Sequence, residues 1–228
     1  MEEHGNGWRL ILGDCLEVMP TLGKVDAVVT DPPYGVGYSS GMEGAYNGAV
    51  IIGDASTEAR DAALSIIRCP ALVFGSWKMS TPRGAHTALV WDKGLAAGMG
   101  DLSVPWKPNF EMIFVVGKGF FGSRDDGVLK GHTIVSWASA GRTHPTEKPV
   151  SLMVALLSKC PPEWTILDPF AGSGTTGVAC LRLGRRFVGI EKDPAYFRLA
   201  CDRLRAEENG STLQATRAGQ VPMFGGGK

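Results

Sequence analysis

The sequence of 228 residues has no excess of charge of either sign, because 23 lysines and arginines balance 23 aspartates and glutamates. This balance excludes a uniformly basic, nucleic-acid-binding chain, so any surface facing nucleic acid would have to be local. Hydrophobic residues make up 44% of the chain and charged residues 20%. Together with the length, this composition predicts a single folded domain with one sizeable core.

Cysteine is also sparse and poorly clustered. The five cysteines include no Cys-x-x-Cys pair and do not group with the four histidines, so neither a zinc site nor a disulfide framework is expected. No apolar run approaches the roughly 20 residues needed to span a bilayer, and the opening Met1-Glu2-Glu3-His4 is acidic without an apolar signal core. We therefore expect a reduced, cytoplasmic protein without a metal.

Short apolar runs alternate with helical patterns along the chain, and there is no internal repeat. This alternation predicts an α/β fold with a doubly wound, mostly parallel sheet covered on both faces. The domain is expected to cover residues 1–206, with a long loop over residues 35–54 and a flexible Gly-rich tail over 207–228. Strands are predicted at residues 8–12, 25–30, 71–74, 88–91, 112–116, 164–167 and 187–190, with a further one at 133–137. Helices are predicted at residues 15–19, 57–68, 149–159, 175–183 and 194–206.

A glycine-rich loop follows the predicted strand that ends near Asp168. Its sequence is Asp168-Pro169-Phe170-Ala171-Gly172-Ser173-Gly174-Thr175-Thr176. Glycine lets the backbone approach a ligand at the start of the next helix, although the same pattern also suits an ordinary tight turn. Glu191 ends the next strand, about 20 residues after Gly172, where a ribose-binding carboxylate belongs in nucleotide-binding βαβ units. No Gly-Lys-Ser/Thr sequence accompanies the loop, so a triphosphate ligand is disfavoured.

A second motif, Asp31-Pro32-Pro33-Tyr34, directly follows the predicted strand at residues 25–30. The prolines fix φ and remove N–H donors, so the carboxylate of Asp31 and the carbonyl of Pro32 can accept both hydrogens of a planar amine. Such acceptors stabilise positive charge that develops on the nitrogen, and Tyr34 offers a ring for stacking on a base. The alternative is a simple turn, since Asp and Pro are common turn residues.

These two motifs resemble those of the S-adenosylmethionine-dependent DNA amino-methyltransferases of the permuted (beta) class, in which the catalytic tetrapeptide precedes the cofactor loop. The segments "THPTEKP" at Thr143 to Pro149 and "LVWDKG" at Leu89 to Gly94 extend the resemblance, as do "GMGD" at Gly98 to Asp101 and "FEMIFVVGKG" at Phe110 to Gly119. The resemblance implies a seven-stranded, Rossmann-like methyltransferase fold with a circularly permuted motif order. It also implies transfer of methyl from S-adenosylmethionine to the N6 amine of a flipped adenine in double-stranded DNA.

The resemblance also implies roles for individual residues. Thr146, Glu147 and Lys148 would lie near the methionine end of the cofactor, with Lys148 as a partner for its carboxylate or, alternatively, as a solvated lysine. Glu191 would accept from the ribose diol. Asp14 would accept from the adenine amine or cap a helix. The remaining cofactor contacts would come from Asp168 and from the loop residues Phe170, Ala171, Gly172, Ser173, Gly174, Thr175 and Thr176.

The region that would read DNA is short in this chain. A small recognition insert around residues 119–142 is expected, with an ordinary surface hairpin as the alternative. The DNA-contact candidates are Lys93, Arg124, Lys130 and Arg142. Cytosine-N4 transfer, a protein or RNA substrate and an inactive cofactor- or DNA-binding module remain alternatives. A homodimer and a restriction-modification partner are compatible with the resemblance, and the tail segment Gln220 to Phe224 resembles peptides that dock on bacterial sliding clamps.

Overall fold

The computed structural model describes residues 1–33, 56–94, 103–107, 109–132 and 147–211. Within these ranges the chain forms nine strands and five α-helices, with a 3₁₀ turn at Met19–Thr21 after the first helix. The strands are β1 (Glu2–Gly5), β2 (Trp8–Leu12), β3 (Ala27–Thr30), β4 (Ala71–Gly75), β5 (Ala85–Asp92), β6 (Phe110–Val116), β7 (Val128–Leu129), β8 (Thr165–Asp168) and β9 (Arg186–Glu191). The helices are α1 (Cys15–Val18), α2 (Glu58–Ile66), α3 (Val150–Leu157), α4 (Thr175–Arg182) and α5 (Pro194–Glu208).

All of these strands join one sheet in the order β1-β2-β9-β8-β3-β4-β6-β5-β7. The five strands from β2 to β4 run parallel to one another, whereas β6 is antiparallel to both of its neighbours. The α/β class and the mostly parallel sheet are thus confirmed. The sheet has two more strands than the seven expected, since β1 and β7 add short edges.

The sheet is covered by two apolar layers because alternate residues of a strand point to opposite faces. On one face Val29 and Leu72 belong to the larger core, with residues from α3, α4 and α5. On the other face Val28 and Val73 belong to a smaller core, with residues from α1 and α2. Helices on both faces explain why the parallel strands read as continuous apolar runs in the sequence.

The parallel direction brings four acidic residues to one edge of the sheet. The strands β2, β9, β8 and β3 are consecutive neighbours, and their carboxyl ends lead to Asp14, Glu191, Asp168 and Asp31, respectively. In open α/β sheets this edge is where ligands bind. The fold therefore brings the predicted site residues together from segments that are distant in the sequence.

In the described part of the chain, no helix is long and apolar enough to cross a membrane. The same part contains no group of three or more His, Cys, Asp or Glu side chains arranged to hold a metal ion. The five cysteines are free thiols, and four of them are buried. The predicted strand at residues 133–137 lies outside the described residues.

Candidate active site

Asp168, the first residue of the glycine-rich motif, connects that motif to the strand end that precedes the tetrapeptide Asp31-Pro32-Pro33-Tyr34. Its side chain is buried and accepts hydrogen bonds from the hydroxyls of Thr30 and Thr176, both at 2.6 Å, and from the backbone N–H of Phe170 at 3.1 Å. Burial raises the pKa of Asp168 to about 6 despite these donors, and the nearby charge of Asp31 adds to the rise. Because Thr30 directly precedes Asp31, the start of the glycine loop is tied to the start of the tetrapeptide.

The glycine loop has the backbone that its sequence suggested. Gly172 and Gly174 have φ angles of +52° and +81°, which L side chains rarely adopt. Gly174 is the N-cap of α4 and packs closely on α5, since a Cβ added there would lie 3.0 Å from the Cβ of Ala200. At Gly172, by contrast, an added Cβ would meet, among the described residues, only the Phe170 carbonyl oxygen, at 3.9 Å. Within the described part of the chain, the backbone of Gly172 is thus not covered by neighbouring side chains at the start of the helix.

Glu191 is held against this loop by both carboxylate oxygens. Oε2 accepts from the N–H of Gly172 at 2.7 Å, and Oε1 accepts from the N–H of Asp193 at 2.8 Å. Burial raises the pKa of Glu191 above its ordinary value, although the backbone donors oppose the rise. The carboxylate is therefore fixed beside the loop, and its role toward a ribose remains a prediction.

Asp14 caps α1, which is the alternative that the sequence left open. Its Oδ1 accepts from the N–H of Leu16 at 2.9 Å, and its Oδ2 lies 2.8 Å from the ammonium of Lys192. The hydrogen bond from Lys192 and that from the backbone of Leu16 lower the pKa of Asp14. A contact of the same carboxylate with an adenine amine stays a prediction.

Asp31 lies next to a buried cation. Its Oδ2 is 2.6 Å from the Nζ of Lys148, and that ammonium is also 3.2 Å from the Oε2 of Glu111 and 5.2 Å from the centre of the Phe74 ring. The Lys148 side chain is only 7% exposed. Burial opposes its charge, but the two carboxylates raise the pKa of Lys148 above its ordinary value. Lys148 is therefore an ion-paired residue of the site rather than a solvated lysine.

Pro32 is buried and Pro33 is half-buried beside Asp31. Tyr34 and Thr146, predicted for base stacking and for the cofactor, lie outside the described residues, as do Arg142 and Gln220 to Phe224. Within the described part of the tetrapeptide, Asp31 is the residue whose side chain can act as the expected hydrogen-bond acceptor.

Sequence reasoning missed Arg203, which lies on α5, as a site residue. Its guanidinium donates to the carbonyl of Ser173 at 2.8 Å, to the Ser173 hydroxyl at 2.7 Å and to the Thr175 hydroxyl at 3.1 Å. It also pairs with Glu147 at 2.5 Å. Arg203 thus connects the glycine loop to the segment that carries Lys148. The sequence feature that could have indicated this role is the position of Arg203 on the otherwise apolar face of α5.

The described DNA-contact candidates occupy different environments. Lys93 pairs with Glu111 and lies 5.5 Å from the centre of the Trp91 ring, so it is part of the charged group around Lys148. Arg124 and Lys130 are exposed. The short strand β7 lies between them and pairs in parallel with β5, so this part of the predicted insert extends the sheet. Contacts with DNA from these residues stay predictions.

The doubly wound sheet, with its glycine loop and acidic edge, has the Rossmann-like methyltransferase fold. The chain belongs to the DNA methylase family of N6 and N4 type, which matches residues 76–202. It is thus a DNA methyltransferase of that family. Among its relatives is YubD of Escherichia coli (strain K12), which carries the name of a methylase. YubD is 33% identical over 220 residues, which span 87% of this chain and 90% of YubD.

Other relatives match more locally or in fold. Type II methyltransferase M2.DpnII of Streptococcus pneumoniae is 47% identical over 75 residues, which are 32% of this chain and 27% of that enzyme. The crystal structure of the M1.HpyAVI-SAM complex has a TM-score of 0.61 at 23% identity and covers 86% of this chain and 100% of that one. The cytosine-N4-specific PvuII DNA methyltransferase has a TM-score of 0.64 at 15% identity, and the match covers 93% of this chain and 90% of that one. At these identities the two solved structures show a shared fold.

Proposed function

We propose that this protein transfers a methyl group from S-adenosylmethionine to the N6 amine of a flipped adenine in DNA, as an enzyme of the permuted class. The observation that carries the proposal is the position of Asp31. It follows β3, whose neighbour β8 leads into the glycine loop, and the hydrogen bond between Thr30 and Asp168 joins the two strand ends. The carboxylate that we propose as the amine acceptor and the loop that we propose for the cofactor are therefore neighbours on one sheet edge.

The described residues fit S-adenosylmethionine. The positive φ angles of the glycines, and the absence of a described side chain within 4 Å of a Cβ at Gly172, allow close approach to the loop backbone. Carboxylates at Glu191 and Asp14 suit ligands with hydroxyl and amine donors, such as a ribose diol and an adenine amine. The loop residues from Phe170 to Thr176 contain no lysine that a phosphate would require. We propose that these residues and Lys148 hold the cofactor, together with Thr146.

The cofactor supplies an electrophilic methyl group on a sulfonium. The chain's part is to make a weakly nucleophilic exocyclic amine reactive. One carboxylate oxygen of Asp31 accepts an N–H of the amine, and the carbonyl of Pro32 accepts the other. These two acceptors favour a more tetrahedral nitrogen, and the carboxylate stabilises the positive charge that develops there. Asp31, which accepts an N–H of the amine, can then receive the proton that the methylated nitrogen releases.

Adenine is the proposed base because Asp occupies the first position of the tetrapeptide, as in the adenine enzymes that the sequence resembles. A cytosine N4 amine needs the same two acceptors, and the fold is also shared with the cytosine-N4-specific PvuII enzyme. Nucleoside mass spectrometry after incubation with methyl-labelled S-adenosylmethionine and mixed genomic DNA decides between them. We expect N6-methyladenine. Label in N4-methylcytosine would overturn the base, and no labelled nucleoside would overturn DNA methylation by this chain.

The same assay tests Asp31 with a matched control. Asp31→Asn should abolish transfer while cofactor binding, followed by calorimetry, changes little. Asp26→Asn is the control, because Asp26 is a partly buried carboxylate that pairs with Lys24 at the opposite end of the same strand region. It should leave transfer intact. Equal loss of transfer and binding in Asp31→Asn would mean that Asp31 serves the cofactor instead.

Partners beyond DNA are also part of the proposal. A homodimer would appear as twice the chain mass in sedimentation equilibrium with and without DNA. Docking of Gln220 to Phe224 on a bacterial sliding clamp would be lost when residues 220–228 are deleted. Absence of clamp binding by the full chain would end that part of the proposal.

A further inference from the structure

Four charged side chains alternate in sign from the tetrapeptide into the sheet. Asp31 contacts Lys148 at 2.6 Å, Lys148 contacts Glu111 at 3.2 Å, and Glu111 pairs in turn with Lys93. Three of the four side chains are less than 20% exposed, and Asp31 is 28% exposed. We call Asp31, Lys148, Glu111 and Lys93 the charge chain. Its two carboxylates and two ammoniums balance, which makes its burial tolerable.

The sheet topology explains how Glu111 reaches this place. The strand β6 is antiparallel to β4, so its first residues lie at the edge where the parallel strands end, and Gly75 pairs with Met112 there. Glu111 is the second residue of β6 and pairs with Trp91 of β5. Lys148 arrives from the segment just before α3, and Asp31 from the end of β3. Three separate parts of the chain therefore meet at one ammonium.

Glu111 has a specific effect on Asp31 in this arrangement. If the Lys148 ammonium paired with Asp31 alone, it would neutralise much of the negative charge of the Asp31 carboxylate. The carboxylate would then attract the positive charge that develops on the amine less strongly. A second carboxylate on the same ammonium shares that positive charge. It also fixes where the ammonium lies, because Lys148 is otherwise a flexible side chain with three donors.

We propose that Glu111 is a positioning residue for methyl transfer: through the Lys148 ammonium it orients the Asp31 carboxylate for the amine and preserves its negative charge. The inference rests on the proposed role of Asp31 and extends it to a residue 80 positions away in the sequence. Glu111 itself touches neither base nor cofactor in this proposal. The alternative is that the ion pairs of Glu111 with Lys148 and Lys93 only stabilise the fold.

The test separates these roles through kinetics. Glu111→Gln should lower kcat roughly 10- to 100-fold, as loss of positioning in an active site does, while KM for S-adenosylmethionine stays within about twofold. Glu111→Asp keeps the charge at shorter reach and should lose less. Asp26→Asn is the matched control, since its side chain is 17% exposed against 18% for Glu111. Far-ultraviolet circular dichroism and melting curves verify that each variant is folded.

The background variant Lys148→Met makes the test decisive. If Glu111 acts through Lys148, adding Glu111→Gln to Lys148→Met should cause no further loss of kcat. Independent, multiplicative losses would overturn the inference. A wild-type kcat in Glu111→Gln would also overturn it, as would a change confined to KM.

A thermodynamic cycle tests the inference even if the wild-type chain transfers no methyl group, a result that would refute the proposed function separately. The unfolding free energies of Glu111→Gln, Asp31→Asn and the double variant should be non-additive, because both carboxylates share one cation. In the Lys148→Met background the part of this non-additivity that the shared cation causes should be lost, so that only the direct repulsion between the two carboxylates remains. Additive effects in the presence of Lys148 would show that Glu111 and Asp31 do not communicate through it.

Discussion

The buried carboxyl of Asp168 gives the most quantitative prediction. In the folded protein it retains its proton up to about pH 6, whereas its ordinary pKa in an unfolded chain is 3.8. Between these pH values the folded state binds more protons than the unfolded state, so the free energy of unfolding falls as pH rises. A difference of about 2 pH units corresponds to a loss of about 3 kcal/mol, essentially complete at pH 7.

Replacement of Asp168 by Asn should remove this dependence. The amide has the shape of the protonated acid, and its oxygen can still accept from the N–H of Phe170. The hydroxyls of Thr30 and Thr176 each donate or accept, so one of them can rotate to accept from the new NH₂ group. We therefore expect the variant to be at least as stable as the wild type at pH 7 and to fold in the same way.

The assay is denaturation by urea at half-unit pH intervals from pH 4 to 7, followed by circular dichroism. The free energy of unfolding of the wild type minus that of Asp168→Asn should fall by about 2 kcal/mol over this range, because the unfolded carboxyl is already partly ionised at pH 4. Asp26→Asn is the control and should give a nearly flat difference over this range. The hydrogen bond from Lys24 lowers the pKa of Asp26 below its ordinary value of 3.8, so its contribution is lost only as pH falls below that value. A flat or rising difference curve for Asp168 would refute the reasoning.

Three further predictions concern the loop and its supports. Gly174→Ala should cost about 1–3 kcal/mol because of its positive φ, and should weaken S-adenosylmethionine binding in calorimetry; unchanged stability would contradict the strained-backbone argument. Arg203→Met should weaken cofactor binding more than it lowers the melting temperature, because the lost donors hold the loop; a lower melting temperature with unchanged affinity would make Arg203 purely structural. Asp14→Ala should lose about 1 kcal/mol of cap stability in urea denaturation, whereas Asp14→Asn should not. Equal losses in both would instead implicate the Lys192 pair.

Much of the fold followed from the apolar pattern. The parallel strands are buried on both faces, so they read as short, continuous apolar runs, and each was located to within one or two residues. Their shared direction was enough to place Asp31, Asp168 and Glu191 on one sheet edge. The glycines of the loop were equally informative, because Gly172 and Gly174 adopt the positive φ angles for which glycine is selected.

The edge strands β1 and β7 were not predictable in the same way. The residues of β1, Glu2 to Gly5, are polar and mostly exposed, and they form a strand only because they pair with β2. The strand β7 is two residues long and depends on β5 for its hydrogen bonds. Neither contributes an apolar periodicity, because β1 is polar and mostly exposed and β7 is too short, with Leu129 alone of its two residues packed against the core. Their formation is decided by tertiary pairing rather than by local sequence.

The partners of charged side chains depended on strand order, which the sequence pattern does not encode. Sequence similarity placed Lys148 near the site but could not identify its neighbours, because Glu111 reaches it only when β6 inserts antiparallel between β4 and β5. That insertion turns the start of β6 toward the carboxyl ends of the parallel strands. The only sign of the buried Lys148 ammonium in the sequence was therefore the glutamate Glu111 in the otherwise apolar strand β6. Asp31 and Glu111 bind the same ammonium, so the antiparallel part of the sheet contributes directly to the electrostatics of the tetrapeptide that we propose to be catalytic.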